Sequence, residues 1–395
     1  MSMELPGMMI ELSGTSVRNK GAELMTAAIC RRFLLHHPSI QFAVPQRFGT
    51  AKDRFKYGMW YKISTKRYAL NRKITRSEKV AIQAVEMMLS RRLCTECGIV
   101  PDQGINAVLD ASGFAFGDQL PLNRTLDFVE ALKPLKRKKV PVVLLPQAFG
   151  PFSQPSHQDA MKQLIDMTDL IFARDDVSYG HLNRLSQHDE RIQCCPDLTL
   201  AAEAPIAPVE TQRPITLIPN SRMLDKLSPE NSKLYQDCLA KIILHAKNKN
   251  LPLQLLLHDL HEDLQFIAPL QYLTGSDIKV VTDDDPIQLK AILASSSLVI
   301  SSRFHALAGA LSSGVPSISI GWSHKYDQIM SDFQQSEWSL STTQAYEDIE
   351  SVMDAMLEPV TNANISQCLK TQMIDIREQV GLMWQKVDQA IGLAG

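Results

Sequence analysis

The sequence predicts an α/β protein of two doubly wound, Rossmann-like domains that face each other across a central cleft. Short apolar and β-branched runs alternate with amphipathic stretches along almost the whole chain, which is typical of βαβ units and parallel sheets. Residues 201–214 are rich in Ala and Pro and lack periodicity, as is common in interdomain linkers. The 395 residues suffice for two cores, so we expect an N-terminal domain over 1–207 and a C-terminal domain over 208–395.

The individual elements follow from these patterns in chain order. The first domain is predicted to contain the strands Met9–Leu12, Gln41–Val44, Ala107–Asp110, Val140–Leu145, Leu170–Ala173 and Ile192–Cys195. Its predicted helices are Gly21–Leu35, Ser77–Arg92, Asn123–Lys136, Ser156–Met167 and Asp176–Leu185. The second domain is predicted to contain the strands Ile215–Ile218, Leu253–Leu257, Ile278–Val281, Leu298–Ile300 and Ser317–Ile320, then helices at Thr343–Met356 and Ile365–Ile391. A terminal helix of this length can pack back on the first domain.

Composition excludes several classes of protein. The 41 basic and 43 acidic residues give a net charge of −2, and 45% of the residues are hydrophobic, as in ordinary soluble proteins. No apolar run reaches the ~20 residues that span a bilayer, and the N-terminus lacks the features of a secretory signal. The seven cysteines are odd in number and widely spread, which suits a reducing cytoplasm. We therefore expect neither a membrane-spanning nor a secreted, fibrous or disordered protein.

One segment departs from the balanced charge. Residues 47–79 contain eleven basic and two acidic residues, a local charge of +9, together with six aromatic residues. Such interleaving suits nucleic acid, an anionic membrane surface or an anionic saccharide carrier. A solvated surface excursion is the simplest alternative, and the composition alone leaves all four open.

The strongest candidate site is the segment Ser301–His305, which follows the strand Leu298–Ile300 and opens a helix. Ligands of open parallel sheets bind beyond the carboxyl ends of the strands, and anions favour the helix N-termini found there. Arg303 offers a guanidinium that can bind carboxylate or phosphate through two hydrogen bonds, and His305 can move a proton near neutral pH. The alternative is an arginine paired with surface acids and a histidine satisfied by the backbone.

Two weaker candidates lie in the first domain. Arg174 follows the strand Leu170–Ala173, where the neighbouring aspartates suit helix capping or a structural ion pair. The first βα turn offers Asn19, Lys20 and Glu23 as hydrogen-bonding groups. This turn lacks the glycine patterns of dinucleotide-binding and phosphate-binding loops, which disfavours NAD chemistry and nucleotide hydrolysis.

A third candidate in the first domain is the glycine-containing loop after the strand Ala107–Asp110. Asp110 and Asp118 are carboxylates suited to orienting or deprotonating a hydroxyl group. Asp118 suits the capping of the following helix equally well, and the sequence leaves both readings open.

Metal centres are less well supported. Cys94 and Cys97 form a single C-x-x-C pair, so a four-ligand zinc site is not expected. The run His258–Asp263 resembles a metal-binding cluster, but it follows the strand Leu253–Leu257, where polar residues would line a ligand cleft in any case. We therefore expect no metal.

Ordered motifs over residues 9–335 resemble the signature of the polysaccharide pyruvyl transferase family. These motifs are Asn19–Glu23, Asp110–Gly113, Gln147–Pro151, Ala173–Asp175, Ser301–Pro316 and Gly321–Tyr326. The two C-terminal motifs are the specific ones. The sequence departs from the family's commoner Gly-Gly-Gly turn by having Ala111, Ser112 and Gly113, a change on the acceptor side. The stretch 47–79 matches no motif of the family.

The resemblance implies a GT-B-like fold and transfer of pyruvate from phosphoenolpyruvate (PEP) to a sugar of a surface polysaccharide or its lipid-linked precursor. The product would be a cyclic ketal, with release of phosphate. Arg303 and Arg174 would clamp PEP and His305 would be the general acid/base. The implied donor-binding residues are Arg174, Ser302, Arg303, His305 and Lys325, and the implied acceptor-binding residues are Asn19, Lys20, Asp110, Ser112 and Asp118.

This chemistry requires no redox cofactor, so PEP is expected to act as a donor substrate without a cofactor or metal, and nucleic acid is not expected as a partner. A lipid-linked acceptor implies a cytoplasmic protein with peripheral contact at the inner face of the membrane. Two alternatives remain: a glycosyltransferase or nucleotide-sugar epimerase of the same fold, and a non-catalytic binding protein that retains it.

Overall fold

The computed structural model describes residues 7–17, 19–63, 96–203, 212–258, 260–275, 277–321 and 324–393, without the side chains of residues 260, 261, 324 and 325. The predicted helix Ser77–Arg92, the predicted boundary at 207/208 and residues 64–79 of the basic stretch lie outside these ranges. The chain forms two compact units. Unit 1 comprises residues 1–198 and 378–395, and unit 2 comprises residues 199–377.

Unit 1 is a parallel sheet flanked by helices. In chain order its described elements are β1 (Met9–Ser13), α1 (Lys20–His36), β2 (Gln41–Val44), α2 (Ala51–Lys56), β3 (Trp60–Ile63), β4 (Ile99–Pro101), β5 (Ala107–Asp110), β6 (Phe114–Phe116), α3 (Leu122–Lys136), β7 (Val142–Phe149), α4 (Pro155–Asp166), β8 (Leu170–Ala173), α5 (Asp176–Ser186) and β9 (Ile192–Cys194). The sheet order is β4-β3-β2-β1-β5-β7-β8-β9, and β6 pairs with β7. Every one of these pairings is parallel.

Unit 2 has the strand order of a Rossmann fold. Its described elements are β10 (Ile215–Ile218), α6 (Arg222–Lys226), α7 (Pro229–Asn248), β11 (Leu253–Leu256), α8 (Leu260–Asp263), α9 (Ile267–Thr274), β12 (Lys279–Val281), α10 (Pro286–Ala294), β13 (Leu298–Ser301), α11 (Phe304–Ser312), β14 (Ser317–Ile320), α12 (His324–Asp332), β15 (Ser339–Leu340), α13 (Thr342–Leu357) and the start of α14 (Pro359–Ala390). The parallel sheet runs β12-β11-β10-β13-β14-β15, which is the doubly wound order 3-2-1-4-5-6.

Each sheet therefore has a point where the strand order reverses. In unit 1 this point lies between β1 and β5, and in unit 2 it lies between β10 and β13. The crevice beyond the carboxyl ends of such strands is where open α/β sheets bind ligands. The central strands β1, β5, β10 and β13 are buried throughout, so their ends are held by the core of each unit.

The end of α14 belongs to unit 1, although the predicted domain limits assigned all of 208–395 to the second domain. Asp388 forms an ion pair with Arg32 of α1, and Trp384 packs edge-on against Phe33 at 5.8 Å. These contacts anchor the last turns of the helix in unit 1. Among the described helices, none is both long enough and apolar enough to cross a membrane.

The predicted strands and helices within the described residues are present, with ends that differ by a few residues. Four strands were not predicted: β3, β4, β6 and β15. They have only two to four residues, too few for a periodic pattern. In β3 the pattern is also interrupted by Lys62, which is buried and pairs with Glu11 and Asp102.

Candidate active site

In unit 2 the loop that follows β13 is bound to the loop that follows β10. The carbonyl oxygen of Ser302 accepts hydrogen bonds from the amide side chain of Asn220 and from the hydroxyl of Tyr326, both at 2.8 Å. The amide of Ser302 donates to the carbonyl of Ile218 at 3.1 Å. Ser302 and Asn220 are both buried. Their hydrogen bonds form a buried polar network at the reversal point of this sheet, which we call the polar floor of the site.

Tyr235 of α7 completes that floor. Its hydroxyl donates to the Ser302 hydroxyl at 2.9 Å and accepts from the amide of Asn220 at 3.1 Å. The tyrosine is fully buried, and burial raises the pKa of its hydroxyl. The hydroxyl therefore joins the two loops as a donor to Ser302 and an acceptor from Asn220.

Arg303 occupies the N-cap position of α11, with extended backbone and no side-chain hydrogen bond to the helix. Its amide donates to the Ser301 hydroxyl at 3.0 Å. The Nη2 atom hydrogen-bonds the buried carboxylate of Asp263 and lies 3.7 Å from Glu262 Oε2. Arg303 thus stands where the positive end of the helix dipole lies, and its guanidinium is hydrogen-bonded to Asp263 at the end of α8.

His305 lies in the first turn of α11, two residues after Arg303. It is partly exposed, and its ring meets the ring of Phe304 edge-on, with centroids 5.4 Å apart. The structure therefore brings Ser302, Arg303 and His305 together at one helix N-terminus, as predicted. The predicted Lys325 lies at the start of α12, and its side chain is outside the described residues.

In unit 1, Asp110 and Ser112 meet at the reversal point between β1 and β5. The Ser112 hydroxyl donates to Asp110 Oδ1, and the side-chain amide of Gln147 donates to Asp110 Oδ2, both at 2.9 Å. Gly14 packs directly against this pair. A Cβ at residue 14 would lie 1.9 Å from the Ser112 hydroxyl, and its φ of +76° also favours glycine.

Asn19 and Lys20 begin α1 on the far side of the same turn. Asn19 caps the helix by accepting from the amide of Gly21 at 2.9 Å. Lys20 lies 3.0 Å from the buried carboxylate of Glu23, which also accepts from Lys56 and Tyr57. Both predicted acceptor residues therefore have structural contacts, and Lys56 ties the start of the basic stretch to α1.

Arg174 follows β8 and lies near two carboxylates without a short contact. Its Nε is 3.8 Å from Asp175 and its Nη1 is 3.9 Å from Asp197. Asp175 is committed to the amide of Ser178 as the cap of α5, at 2.7 Å. The guanidinium is partly exposed, which leaves it able to bind an anion.

Asp118 lies in the loop that follows β6 and binds the loop that follows β7. Its carboxylate accepts from the amide of Ser153 at 2.7 Å and from the Ser153 hydroxyl. These hydrogen bonds hold the pKa of the Asp118 carboxyl below its ordinary value. Asp118 also lies 3.9 Å from Nδ1 of the buried His157. It fixes the loop after β7 rather than capping α3, whose N-cap is Pro121.

Sequence reasoning missed several residues of the unit 2 site. Asn220 follows a strand and could have been found by the same rule that found Arg303. Tyr235 lies in the middle of a helix, and its role depends on packing that no local pattern reveals. The run His258–Asp263 supplies two arginine-binding carboxylates, and the described residues contain no group of three or more metal-ligating side chains.

The solved structures similar to this chain share its two-domain parallel α/β architecture. They include UDP-GlcNAc 2-epimerase from Neisseria meningitidis bound to UDP-GlcNAc, with 10% identity and a TM-score of 0.61 over 96% of this chain and 99% of that one. A putative UDP-N-acetylglucosamine 2-epimerase from Listeria monocytogenes has 9% identity and a TM-score of 0.61, over 98% and 97%. Anabaena HepE in complex with UDP-glucose has 11% identity and a TM-score of 0.51, over 96% and 100%.

At such low identity these similarities establish the fold alone. They show a GT-B-like fold and confirm the predicted fold class. A comparison with curated proteins found no match. The family model for polysaccharide pyruvyl transferase matches residues 19–324. The chain belongs to the polysaccharide pyruvyl transferase family, as its motifs predicted.

Removal of the Tyr235 hydroxyl tests the polar floor of the unit 2 site. Tyr235→Phe leaves the amide of Asn220 and the Ser302 hydroxyl without a buried partner, so we expect the free energy of unfolding to fall by about 1–3 kcal/mol. Urea denaturation monitors the change. The matched control is Tyr272→Phe, because Tyr272 is 89% exposed and should change stability by no more than about 0.5 kcal/mol. Equal stability of the two variants would contradict the assigned hydrogen bonds.

Proposed function

We propose that this protein transfers pyruvate from PEP to two hydroxyl groups of a saccharide, forming a cyclic ketal and releasing phosphate. The observation that carries the proposal is the placement of Arg303 and His305 in one helix N-terminus at the reversal point of a Rossmann sheet. A guanidinium there suits a carboxylate or phosphate, and an imidazole beside it suits proton transfer. Membership of the family supports the same reaction.

The chemistry follows from the structure of the donor. C3 of the enol gains a proton, which makes C2 electrophilic, and one sugar hydroxyl adds to C2 and loses its proton. The C2–O bond to phosphate then breaks, phosphate leaves, and the second hydroxyl closes the ring with loss of its proton. The reaction needs cations for the donor's carboxylate and phosphate and a general acid/base, and it needs no net oxidation.

The residues take roles that fit their surroundings. Arg303 binds the donor beside the dipole of α11, and His305 transfers the proton. Ser302 holds the loop in place through its contacts with Asn220 and Tyr235. Arg174 supplies a second guanidinium. Lys325 is proposed as a further cation from its place in the family signature.

The acceptor side is proposed for unit 1. Asp110 is buried at the reversal point and accepts hydrogen bonds from Ser112 and Gln147, which suits the orientation of a hydroxyl group. Asn19 and Lys20 stand at the start of α1, Asp118 lies in the loop after β6, and all three also make structural contacts. The acceptor is proposed to be a surface polysaccharide or its lipid-linked precursor, in keeping with the family.

The similar structures favour one other function. The proteins from N. meningitidis and Anabaena were crystallised with UDP-GlcNAc and UDP-glucose, so the second candidate is a nucleotide-sugar epimerase or glycosyltransferase. The two candidates differ in the anion that binds, namely PEP or a nucleoside diphosphate.

Calorimetric titration separates these candidates without knowledge of the acceptor. Wild-type protein is expected to bind PEP saturably and to ignore UDP and GDP. Arg303→Ala should lose about 1.5–3 kcal/mol of PEP binding, because a charge-assisted hydrogen bond is removed. The control is Arg213→Ala, since the Arg213 side chain binds the carbonyls of Ala294 and Ser295 at the opposite end of the sheet. Binding of UDP without binding of PEP would overturn the proposal.

The role of His305 is tested by separating binding from turnover. His305→Ala should bind PEP nearly as wild type does and should release phosphate at least about 100-fold more slowly, the contribution typical of a general acid/base. Phosphate release is measured with a saccharide-containing membrane extract as acceptor. His245→Ala is the control, because His245 pairs with Asp354 between α7 and α13. Turnover of His305→Ala at the wild-type rate would exclude the acid/base role.

A lipid-linked acceptor requires access to a membrane surface, and we propose that the basic stretch 47–79 provides it. Within its described part, Phe55 is 83% exposed and lies on α2 with Lys52 and Lys56. Binding to phosphatidylglycerol vesicles is expected at low salt and should weaken at high salt, since each basic residue contributes about 1 kcal/mol. In sedimentation assays Lys52→Glu should bind less, whereas Lys247→Glu on α7 should not. Failure of the wild type to sediment would contradict membrane contact.

A further inference from the structure

Asp263 is a fully buried carboxylate, with 0% of its surface exposed. It ends α8, within the run that resembles a metal-binding cluster in the sequence. An ionised carboxylate in such a place is costly unless a cation and hydrogen bonds compensate it. The compensating cation is Arg303, whose Nη2 donates to Asp263 Oδ1.

The hydrogen bond to Asp263 does not involve the Nε atom of the guanidinium. Arg303 Nε is buried and has no hydrogen-bond partner among the residues that the structure describes. Buried N–H groups are normally paired, so this donor fits a site that a ligand completes. The side chain of Arg303 is 16% exposed, which leaves the guanidinium accessible from one side.

Glu262, the neighbour of Asp263, also lies near Arg303 Nη2, but its side chain is partly exposed to solvent. Glu262 Oε2 is 3.7 Å from Arg303 Nη2, and this carboxylate also accepts from the Ser221 hydroxyl at 2.9 Å and from Arg222 at 3.2 Å. Its side chain is 38% exposed. The two consecutive acids thus carry the same charge beside one guanidinium, and only Asp263 is buried.

We propose that Asp263 is a positioning residue that fixes the Arg303 guanidinium in the orientation that binds the anionic donor. This inference rests on the proposed function, because it concerns the same arginine. A guanidinium held before binding loses less conformational freedom when the ligand arrives. Asp263 touches no substrate in this scheme and acts on the donor through Arg303.

A positioning role and a purely electrostatic role predict opposite changes in anion affinity when the Asp263 carboxylate is removed. Removal of a negative charge near an anion site strengthens anion binding if only charge matters. Removal of the group that orients the binding arginine weakens it. Glu262 and Asp263 are therefore a matched pair, in which Glu262→Ala reports the charge effect and Asp263→Ala reports the charge effect together with the loss of orientation.

The experiment is calorimetric titration of the full chain with PEP, using wild type, Asp263→Ala, Glu262→Ala and Arg303→Ala. We expect Asp263→Ala to bind PEP roughly 10- to 100-fold more weakly, which corresponds to the loss of one charge-assisted hydrogen bond. Glu262→Ala should bind PEP with unchanged to about fivefold higher affinity, as for a screened, exposed charge. Circular dichroism at the titration temperature verifies that each variant is folded.

Asp263→Asn is the second variant if Asp263→Ala does not fold, because it keeps the volume and one acceptor oxygen. It should bind PEP more weakly than wild type and more tightly than Arg303→Ala. If a folded Asp263 variant binds PEP as well as wild type or better, while Arg303→Ala loses binding, the positioning role is overturned and the proposed function stands. If wild type does not bind PEP, both are overturned.

Discussion

The adjacency of β10 and β13 is the constraint on which the unit 2 site depends. Because the two strands are parallel neighbours although they are far apart in the chain, the loops that follow them emerge at the same edge of the sheet. This places Asn220 beside Ser302 and lets Tyr235 bond to both. The reversal of strand order opens the space beyond that edge, since the helices after β10 and β13 diverge to opposite faces.

A second constraint is the cost of burying charge. Asp263 and Arg303 are separated by 40 residues in the sequence, yet neither is easily accommodated without the other in a low-dielectric setting. In unit 1 the charge of the buried Lys62 is likewise compensated, by ion pairs with Glu11 and Asp102. In both units, buried ion pairs connect segments that local sequence patterns do not link.

Much of the architecture could be predicted from the sequence, as could the position of Ser301–His305 between a strand and a helix N-terminus. Hydrophobic runs predicted the long strands, and the rule about carboxyl ends of strands found Ser302, Arg303 and His305 in their helix N-terminus. It could not show that Asp263 binds Arg303, because the contact depends on how α8 packs in three dimensions. The short strand β3 was missed for a related reason: Lys62 interrupts its apolar pattern, and its compensating acids lie 51 and 40 residues away.

The paired charges around Arg303 also determine the electrostatic field that this part of unit 2 presents to solvent. Arg222 and Arg303 pair with the three acids Asp225, Glu262 and Asp263, so these side chains together carry no net positive charge. Long-range attraction of anions, which accelerates capture when a cleft has a single sign of charge, is therefore weak from this group. Under the proposed function, discrimination between PEP and other small anions would therefore depend on short-range contacts with the Arg303 guanidinium.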